Sequence, residues 1–462
     1  MLDRLPEPAA ARLAAELREV DLGLIARLVD RLVRIDRPPL YGEVTAADPD
    51  DFIRLPESPE DHERERAARA AGEGMLRDGR VAAVLLAGGQ GSRLGFDGPK
   101  GAFPFTPITG RMLFWQHAAT IAAVRARHGA PVPLYILTSP TNDAETRAVF
   151  ASHDHFGLDP GTVRFVVQGT LPAVDARTGE ILREEPGHLA LSPDGHGGLL
   201  SALRNSGALD EMAGMGIDTL FTYQVDNPLV RTCRPEFLGH HGLAGAEMSS
   251  VVVRKLSPGE RMGVIAHIDD RPGVVEYSDL PDELAELRDD DGELVFWAGS
   301  IAVHCIDRAF AERLTADGLS LPYHRALKRV PYVDRADRLV DPDDANAVKF
   351  ETFLFDALAY ATRTVAVEAR RDDEFAPIKN GVGADSPHTA RSALNRRNAA
   401  WVEAAGGTVL RDGDGEPVDL EIDPMLALDP EELRAAFPDG ITVDGPMVLE
   451  PPADRRRDLR AY

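Results

Sequence analysis

Six glycines, at 88, 89, 91, 95, 98 and 101, follow the apolar run VAAVLLA (81–87), and Arg93 and Lys100 stand among them. A glycine-rich turn after a strand leaves successive backbone N–H groups uncovered, and such groups form a concavity that suits an anion. A guanidinium grips phosphate oxygens with a fixed fork, and an ammonium adds a point charge. The loop therefore points to phosphate chemistry. Spacing excludes three common glycine loops. The dinucleotide fingerprint G-x-G-x-x-G, started at Gly89, meets Leu94 where its third glycine belongs. The P-loop needs Gly before its Lys and Ser or Thr after it, whereas Lys100 lies between Pro99 and Gly101. A kinase loop would need H-R-D and D-F-G partners, and the chain has neither. No G-x-S-x-G marks a nucleophilic serine. His153 with His155, and His240 with His241, have spacings that a metal site could use. No Cys or acid cluster clearly completes them, so they read as loop histidines.

The elements that must carry this loop alternate. Strand-like runs occur at 81–87, 133–139, 163–169, 218–227 and 249–255, and RMLFWQHAATIAAVRARHG (111–129) between the first two reads as an amphipathic helix. Alternation at this spacing predicts an α/β fold with a largely parallel sheet and helices on both faces. Ligands of such sheets sit beyond the C-terminal strand ends at a switch in strand order, which is where the glycine loop falls. Three regions are expected: a helical arm at 1–75, a catalytic domain at 76–380, and a helix plus a small β-rich domain at 381–462. The arm shows apolar residues at Leu13, Leu17, Val20, Leu24 and Leu28, then a Pro-rich break (37–50) and a polar helical segment (60–80). HTARSALNRRNAAWVEAAG (388–406) reads as the helix of the last region.

The stretch from Leu86 to Lys100 matches L-A-G-G-x-G-[ST]-R-L-G-x(3)-P-K throughout and resembles the signature of sugar nucleotidyltransferases. Further blocks follow in order: QGTLPAVD (168–175), SPDGHGGLLSAL (192–203), YQVDN (223–227), MGV (262–264), VVEYSDL (274–280), LPYHRALKRVPYVD (321–334), VKFETFLFD (348–356) and DEFAPIKN (373–380). With these, the chain resembles the UDP-N-acetylhexosamine pyrophosphorylase branch of the UDP-sugar pyrophosphorylase family over about residues 75 to 410. The resemblance implies a Rossmann-like, GT-A-like nucleotidyltransferase domain. It implies a reaction in which UTP and a sugar-1-phosphate give a UDP-sugar and pyrophosphate, with Mg²⁺ as cofactor.

Taken alone, Asp226-Asn227-Pro228 is a turn signal, Glu276 a strand-face acid and Lys379 a loop lysine. The resemblance gives them roles. It implies that Leu86, Ala87, Gly88 and Gly89 bind the uridine, that Gln168 reads the uracil and that Gly195 lies against the nucleotide. Asp226 would hold the metal. Arg93, Lys100 and Lys379 would neutralise the phosphates. His196, Gly263, Glu276, Ser300 and Lys379 would form the sugar-phosphate end, with Lys255 in the segment lining it. Two positions depart from the branch. His196 stands where it usually has Asn, and Ser300 where it has Asn. Both fall at the acceptor sugar, which leaves open N-acetylglucosamine-1-phosphate or N-acetylgalactosamine-1-phosphate, glucose-1-phosphate, or several sugars. A UDP-sugar-binding protein without turnover, and more distantly a dinucleotide oxidoreductase, are the readings from other classes.

Composition sets the outer bounds. The 462 residues carry a net charge of -25, which disfavours nucleic acid or anionic membrane as a partner. No apolar run approaches the ~20 residues of a membrane span, and the first residues lack a signal-peptide core. Two cysteines, Cys233 and Cys305, without a C-x-x-C, argue against a disulfide framework. The expectation is a soluble cytoplasmic protein, monomer or homodimer.

Overall fold

The computed structural model describes residues 5–35 and 42–452. Part of the Pro-rich break, at 37–41, lies outside them. The eight strands along the main path of the central sheet are β1 (Phe52–Ile53), β2 (Val81–Leu86), β3 (Leu134–Thr138), β4 (Val163–Val167), β5 (Thr219–Gln224), β6 (Met248–Arg254), β7 (Ala298–Asp307) and β8 (Thr364–Glu368). They lie in the order β1-β8-β6-β7-β5-β2-β3-β4. All neighbours are parallel except β7, which runs antiparallel to both β6 and β5. β2 is flanked by β3 on one side and β5 on the other, so strand order reverses there. The C-terminal ends of β2 and β5 thus open side by side.

The side-chain alternation of β2 shows why the sheet needs cover on both faces. Val81, Ala83 and Leu85 belong to one core with Phe114, Ile121, Phe237 and Leu238. Ala82, Val84 and Leu86 belong to a second core with Leu199, Leu203, Leu209 and Phe310. The first face is covered by helices Leu113–His128 and Pro235–Ala244. The second is covered by Gly198–Asn205, Ala208–Gly214 and Arg308–Leu314.

The segment 1–75 is not one arm. Helix Leu22–Leu28 and Val29 pack on Val174, Val348 and Phe350. Glu16 of helix Glu7–Glu19 contacts His188 and accepts from Leu189 N–H at 2.8 Å. β1 joins the main sheet edge, and Val44–Ala46 pairs with Val264–Ile268, so this region supplies strands that its sequence did not suggest. Helix Pro59–Arg77 begins at a capping box, with Asp61 N–H donating to Ser58 Oγ at 3.1 Å. It crosses helix Pro235–Ala244 closely. A Cβ on Gly72 would fall 1.9 Å from Pro235 O, and one on Gly239 would fall 1.7 Å from Ala68 O.

Helix Pro387–Ala404 bridges two cores. Ala390 and Leu394 sit in the main core, while Trp401 and Val402 join a separate cluster with Leu420, Leu433 and Val443. The last region is less β-rich than expected. Its strands have two or three residues, in two parallel pairs, Thr408–Val409 with Thr442–Val443 and Leu420–Ile422 with Met447–Leu449, beside helix Pro430–Ala436. Turns and irregular segments join these short elements. Cys233 and Cys305 are buried free thiols. Among the described residues, no helix is long and apolar enough to cross a membrane.

Candidate active site

The glycine loop leaves β2 and returns on itself. Gly91 N–H donates to Gly98 O at 2.9 Å, and Lys100 N–H donates to Gly89 O at 3.1 Å. Asn142 Nδ2 holds the base of the loop through Ala87 O at 2.9 Å and Gly89 O at 3.3 Å. Residues eleven positions apart are thereby brought together, and Lys100 is placed over the strand end. Arg93 lies exposed on the outer turn of this loop.

β5 delivers Asp226 beside it. Lys100 Nζ lies 3.5 Å from Asp226 Oδ2, with side-chain exposures of 16% and 18%. The turn after β5 is braced by the segment that carries Lys379. Ile378 N–H donates to Asp226 O at 2.8 Å, Ala376 N–H to Asn227 Oδ1 at 3.1 Å, and Asn227 Nδ2 to Glu374 O at 2.7 Å. Glu374 is in turn buried in an ion pair with Arg234 at 2.7 Å. Gly381, two residues past Lys379, packs against the backbone of Arg93. The three predicted cations thus stand on two adjoining loops, with Lys100 the one that faces the Asp226 carboxylate.

The opposite wall comes from β4 and the segment after Pro193. Gln168 is only 8% exposed, not a solvated strand-end side chain. Its Nε2 donates to Gly195 O at 2.6 Å. Gly195 has φ +87, and a Cβ there would meet Thr352 O at 2.3 Å, so the position requires glycine. The preceding Asp194 is half-buried, with its Oδ1 atom buried and unpartnered. Burial raises its carboxyl to about 6, partly offset by a Gln168 hydrogen bond. A cleft of about 230 Å³ is lined by Leu86, Gly88, Gly89, Lys100, Leu137, Gln168, Pro193, His196, Gln224, Val225 and Asp226.

His196 begins the far end. Its Nδ1 accepts from Leu354 N–H at 3.1 Å, so the ring carries its proton on Nε2. It stacks near Phe353, with centroids 5.4 Å apart. Burial, reinforced by the nearby His324, lowers its pKa to about 4, and the ring is neutral near pH 7. His324 pairs with Asp356 at 2.7 Å and stacks on Phe353 at 4.5 Å. Glu276 is raised by burial and then by Asp279, while Lys379 and His324 act against this rise. A Cβ on Gly263 would lie 3.4 Å from Glu276 Oε1, and Ser300 N–H donates to Gly263 O at 2.8 Å. Gly263, Glu276 and Ser300 form one cluster, which Lys379 reaches electrostatically through Glu276. Lys255 is buried, with Nζ donating to Pro258 O at 2.9 Å, and burial lowers its pKa.

Sequence reasoning assigned no role to His324, Asp356, Asp194, Asn227 or Glu374. All lie in or beside the matched blocks, which is the signal that could have found them. The paired histidines at 240 and 241 are not in a loop. They lie in helix Pro235–Ala244, where His240 pairs with Glu65 at 2.7 Å and His241 with Ser249 Oγ at 2.8 Å. His153 follows helix Asp143–Ser152, its Nδ1 2.8 Å from Val149 O. Among the described residues, the one grouping of three His, Cys, Asp or Glu close enough to share a cation is Asp48, Asp51 and His267, which contains none of these four.

Comparison with known proteins places the chain in a family. The family model described as UTP–glucose-1-phosphate uridylyltransferase matches residues 49–396. The chain is 35% identical to human UDP-N-acetylhexosamine pyrophosphorylase-like protein 1, over 98% of this chain and 94% of that protein. It is 36% identical to the UDP-N-acetylglucosamine pyrophosphorylase of Saccharomyces cerevisiae, over 72% of each. The crystal structure of the Trypanosoma brucei uridine diphosphate N-acetylglucosamine pyrophosphorylase in complex with an inhibitor superposes with a TM-score of 0.81 at 27% identity, covering 95% of this chain and 91% of that one. The chain belongs to the UTP–glucose-1-phosphate uridylyltransferase (UDPGP) family.

Proposed function

We propose that this uridylyltransferase makes a UDP-N-acetylhexosamine from UTP and N-acetylglucosamine-1-phosphate or N-acetylgalactosamine-1-phosphate. The observation that carries the reading is the meeting of Lys100 with Asp226, with the Lys379 segment hydrogen-bonded to Asp226 itself. In the reaction, a phosphate oxygen of the sugar-1-phosphate forms a bond to the α-phosphorus of UTP. The bond from that phosphorus to the bridging oxygen breaks, and pyrophosphate leaves with the electron pair. The attacking oxygen is already anionic at neutral pH, so no general base is required. The barrier is the approach of two anions, and positioning with charge neutralisation lowers it.

Lys100 and Lys379 serve the α-phosphate, and Arg93 serves the leaving pyrophosphate. Gln168 and the backbone from Leu86 to Gly89 serve the uridine. His196, Glu276, Gly263 and Ser300 serve the sugar. The metal would be Mg²⁺ on Asp226. A single carboxylate in a phosphate cleft suits this ion, which takes one or two carboxylates and fills its other positions with phosphate oxygens and water. When bound, it supplies positive charge to the phosphates. With the metal held by Asp226, the Lys100 ammonium would be free to serve the phosphates.

The test is pyrophosphate release from UTP and Mg²⁺ across four acceptors: glucose-, galactose-, N-acetylglucosamine- and N-acetylgalactosamine-1-phosphate. The acetamido sugars are expected to be preferred. Preference for the plain hexoses would assign the acceptor change to His196 and Ser300. Release with none would refute turnover.

A further inference from the structure

On the sheet face covered by helices Pro59–Arg77 and Leu113–His128, a cavity of about 340 Å³ opens toward the C-terminal unit. It shares no lining residue with the nucleotide cleft. Its volume is at the low end for small-molecule pockets, roughly 300–1,000 Å³. Its walls carry buried cations whose hydrogen bonds are incomplete. Arg234, 8% exposed, spends Nη1 on Glu374, while its Nε and Nη2 have no partner. Arg397, also 8% exposed, lies over the Trp401 ring at 4.9 Å and donates to Leu229 O at 3.3 Å and Asn398 Oδ1 at 3.4 Å, while its Nε has no hydrogen-bond partner. Arg231 lines the same cavity and makes no ion pair among the described residues.

Carboxylates also line the cavity, but most are engaged. Glu73 pairs with Arg69 and Arg77, Asp429 with Arg69, and Glu432 with Arg127. Glu236 is the exception. Its Oε1 lies 3.5 Å from Arg69, and its buried Oε2 has no partner. Unpartnered buried donors on Arg234 and Arg397, beside one unpartnered acceptor on Glu236, are costly unless a ligand completes them. Guanidinium forks match phosphate geometry, and a carboxylate oxygen accepts from a hydroxyl. A bare ion would leave Glu236 unserved and most of the volume unfilled.

We propose that this cavity is a second ligand site that takes a small hydroxylated organic phosphate, with Arg231, Arg234 and Arg397 receiving the phosphate and Glu236 a hydroxyl. The assignment does not depend on which acceptor sugar the cleft uses.

Calorimetric titration with glucose 6-phosphate tests it, using the full chain and three variants, Lys100→Ala, Arg231→Gln and Arg397→Gln. Binding is expected for the unaltered protein and for Lys100→Ala. Each arginine variant should weaken it by about tenfold or more. Inorganic phosphate should bind more weakly than glucose 6-phosphate. Arg231 makes no ion pair, so its variant tests the site even if Arg397→Gln fails to fold. The proposal is overturned by absence of binding up to about 10 mM. Binding that disappears in Lys100→Ala but survives in Arg231→Gln would place the ligand in the nucleotide cleft and also overturn it. Equal affinity for inorganic phosphate would remove the hydroxylated class.

Discussion

Lys100 owes its place to backbone hydrogen bonds, chiefly Lys100 N–H to Gly89 O and Phe103 N–H to Lys100 O, and its charge faces Asp226 at 3.5 Å. Truncation to alanine removes the charge but not the loop closure, because that closure uses the main chain. Lys100→Ala is therefore expected to lose about 10²–10³ in turnover, by analogy with a lost oxyanion donor, with an unchanged circular dichroism spectrum. Full activity would show that the lysine does not serve the reacting phosphate. Asp194 makes a different prediction. Its carboxyl titrates at about 6 inside the fold because it is buried, against about 3.9 in an unfolded chain. The native state therefore holds this proton more tightly than the unfolded one. Its contribution to stability is full below about pH 4 and is lost as pH rises through 6. Asp194→Asn removes that loss, so the variant should gain on the parent by about 2 kcal/mol between pH 4.5 and pH 8. Urea denaturation at the two pH values measures this. A gap that does not change with pH would mean that Asp194 ionises as it would in water.

At the scale of elements, the helix Pro59–Arg77 contains two glycines with opposite surroundings. Gly72 abuts Pro235 O, whereas a Cβ on Gly74 would have nothing within 4 Å. Gly72→Ala should destabilise by about 1–3 kcal/mol through overpacking. Gly74→Ala should stabilise by about 0.4–1 kcal/mol, since alanine restricts the unfolded chain and favours helix. Thermal unfolding of both variants gives two signs from one helix, and shifts in the same direction would contradict the crossing geometry. The sequence made such elements legible where they were long and periodic. The apolar run at 81–87 became β2, and 111–129 became helix Leu113–His128. The glycine loop was legible because its chemistry is local. Strand β1 was not, because two residues have no period to read. Nor was the direction of β7, since an apolar run is the same read parallel or antiparallel. His240 and His241 looked like loop residues because Glu65 and Ser249, which satisfy them, are distant or on another element. The pairs His324–Asp356 and Arg234–Glu374 were hidden for the same reason, being 32 and 140 positions apart in the chain.

At the scale of the whole molecule, the C-terminal unit reaches back to the loop that follows Lys100. Glu421, buried on strand Leu420–Ile422, accepts from Ile108 N–H at 2.6 Å, Thr109 N–H at 2.8 Å and Thr109 Oγ1 at 2.7 Å. Arg111 adds ion pairs to Asp423 at 3.3 Å and Glu450 at 2.7 Å. The tip at 106–111 is therefore tied to a unit with its own small core, and through Phe103 and Leu113 the same stretch runs into the helix on the sheet's first face. A carboxylate with three donors in a buried setting is hard to replace, because each donor left unmet carries a desolvation cost of about 1–3 kcal/mol. Glu421→Ala should thus free the tip without touching the cleft. Hydrogen exchange at residues 106–111 is expected to accelerate, and KM for UTP to rise several-fold as Lys100 loses its support. The change in kcat should be smaller, because the phosphates of bound UTP themselves draw the Lys100 ammonium into place. Faster exchange with unchanged KM would confine the C-terminal unit to holding its own loop. Unchanged exchange would mean that main-chain bonds within 103–113, such as Phe105 N–H to Arg111 O at 2.9 Å, hold the tip unaided.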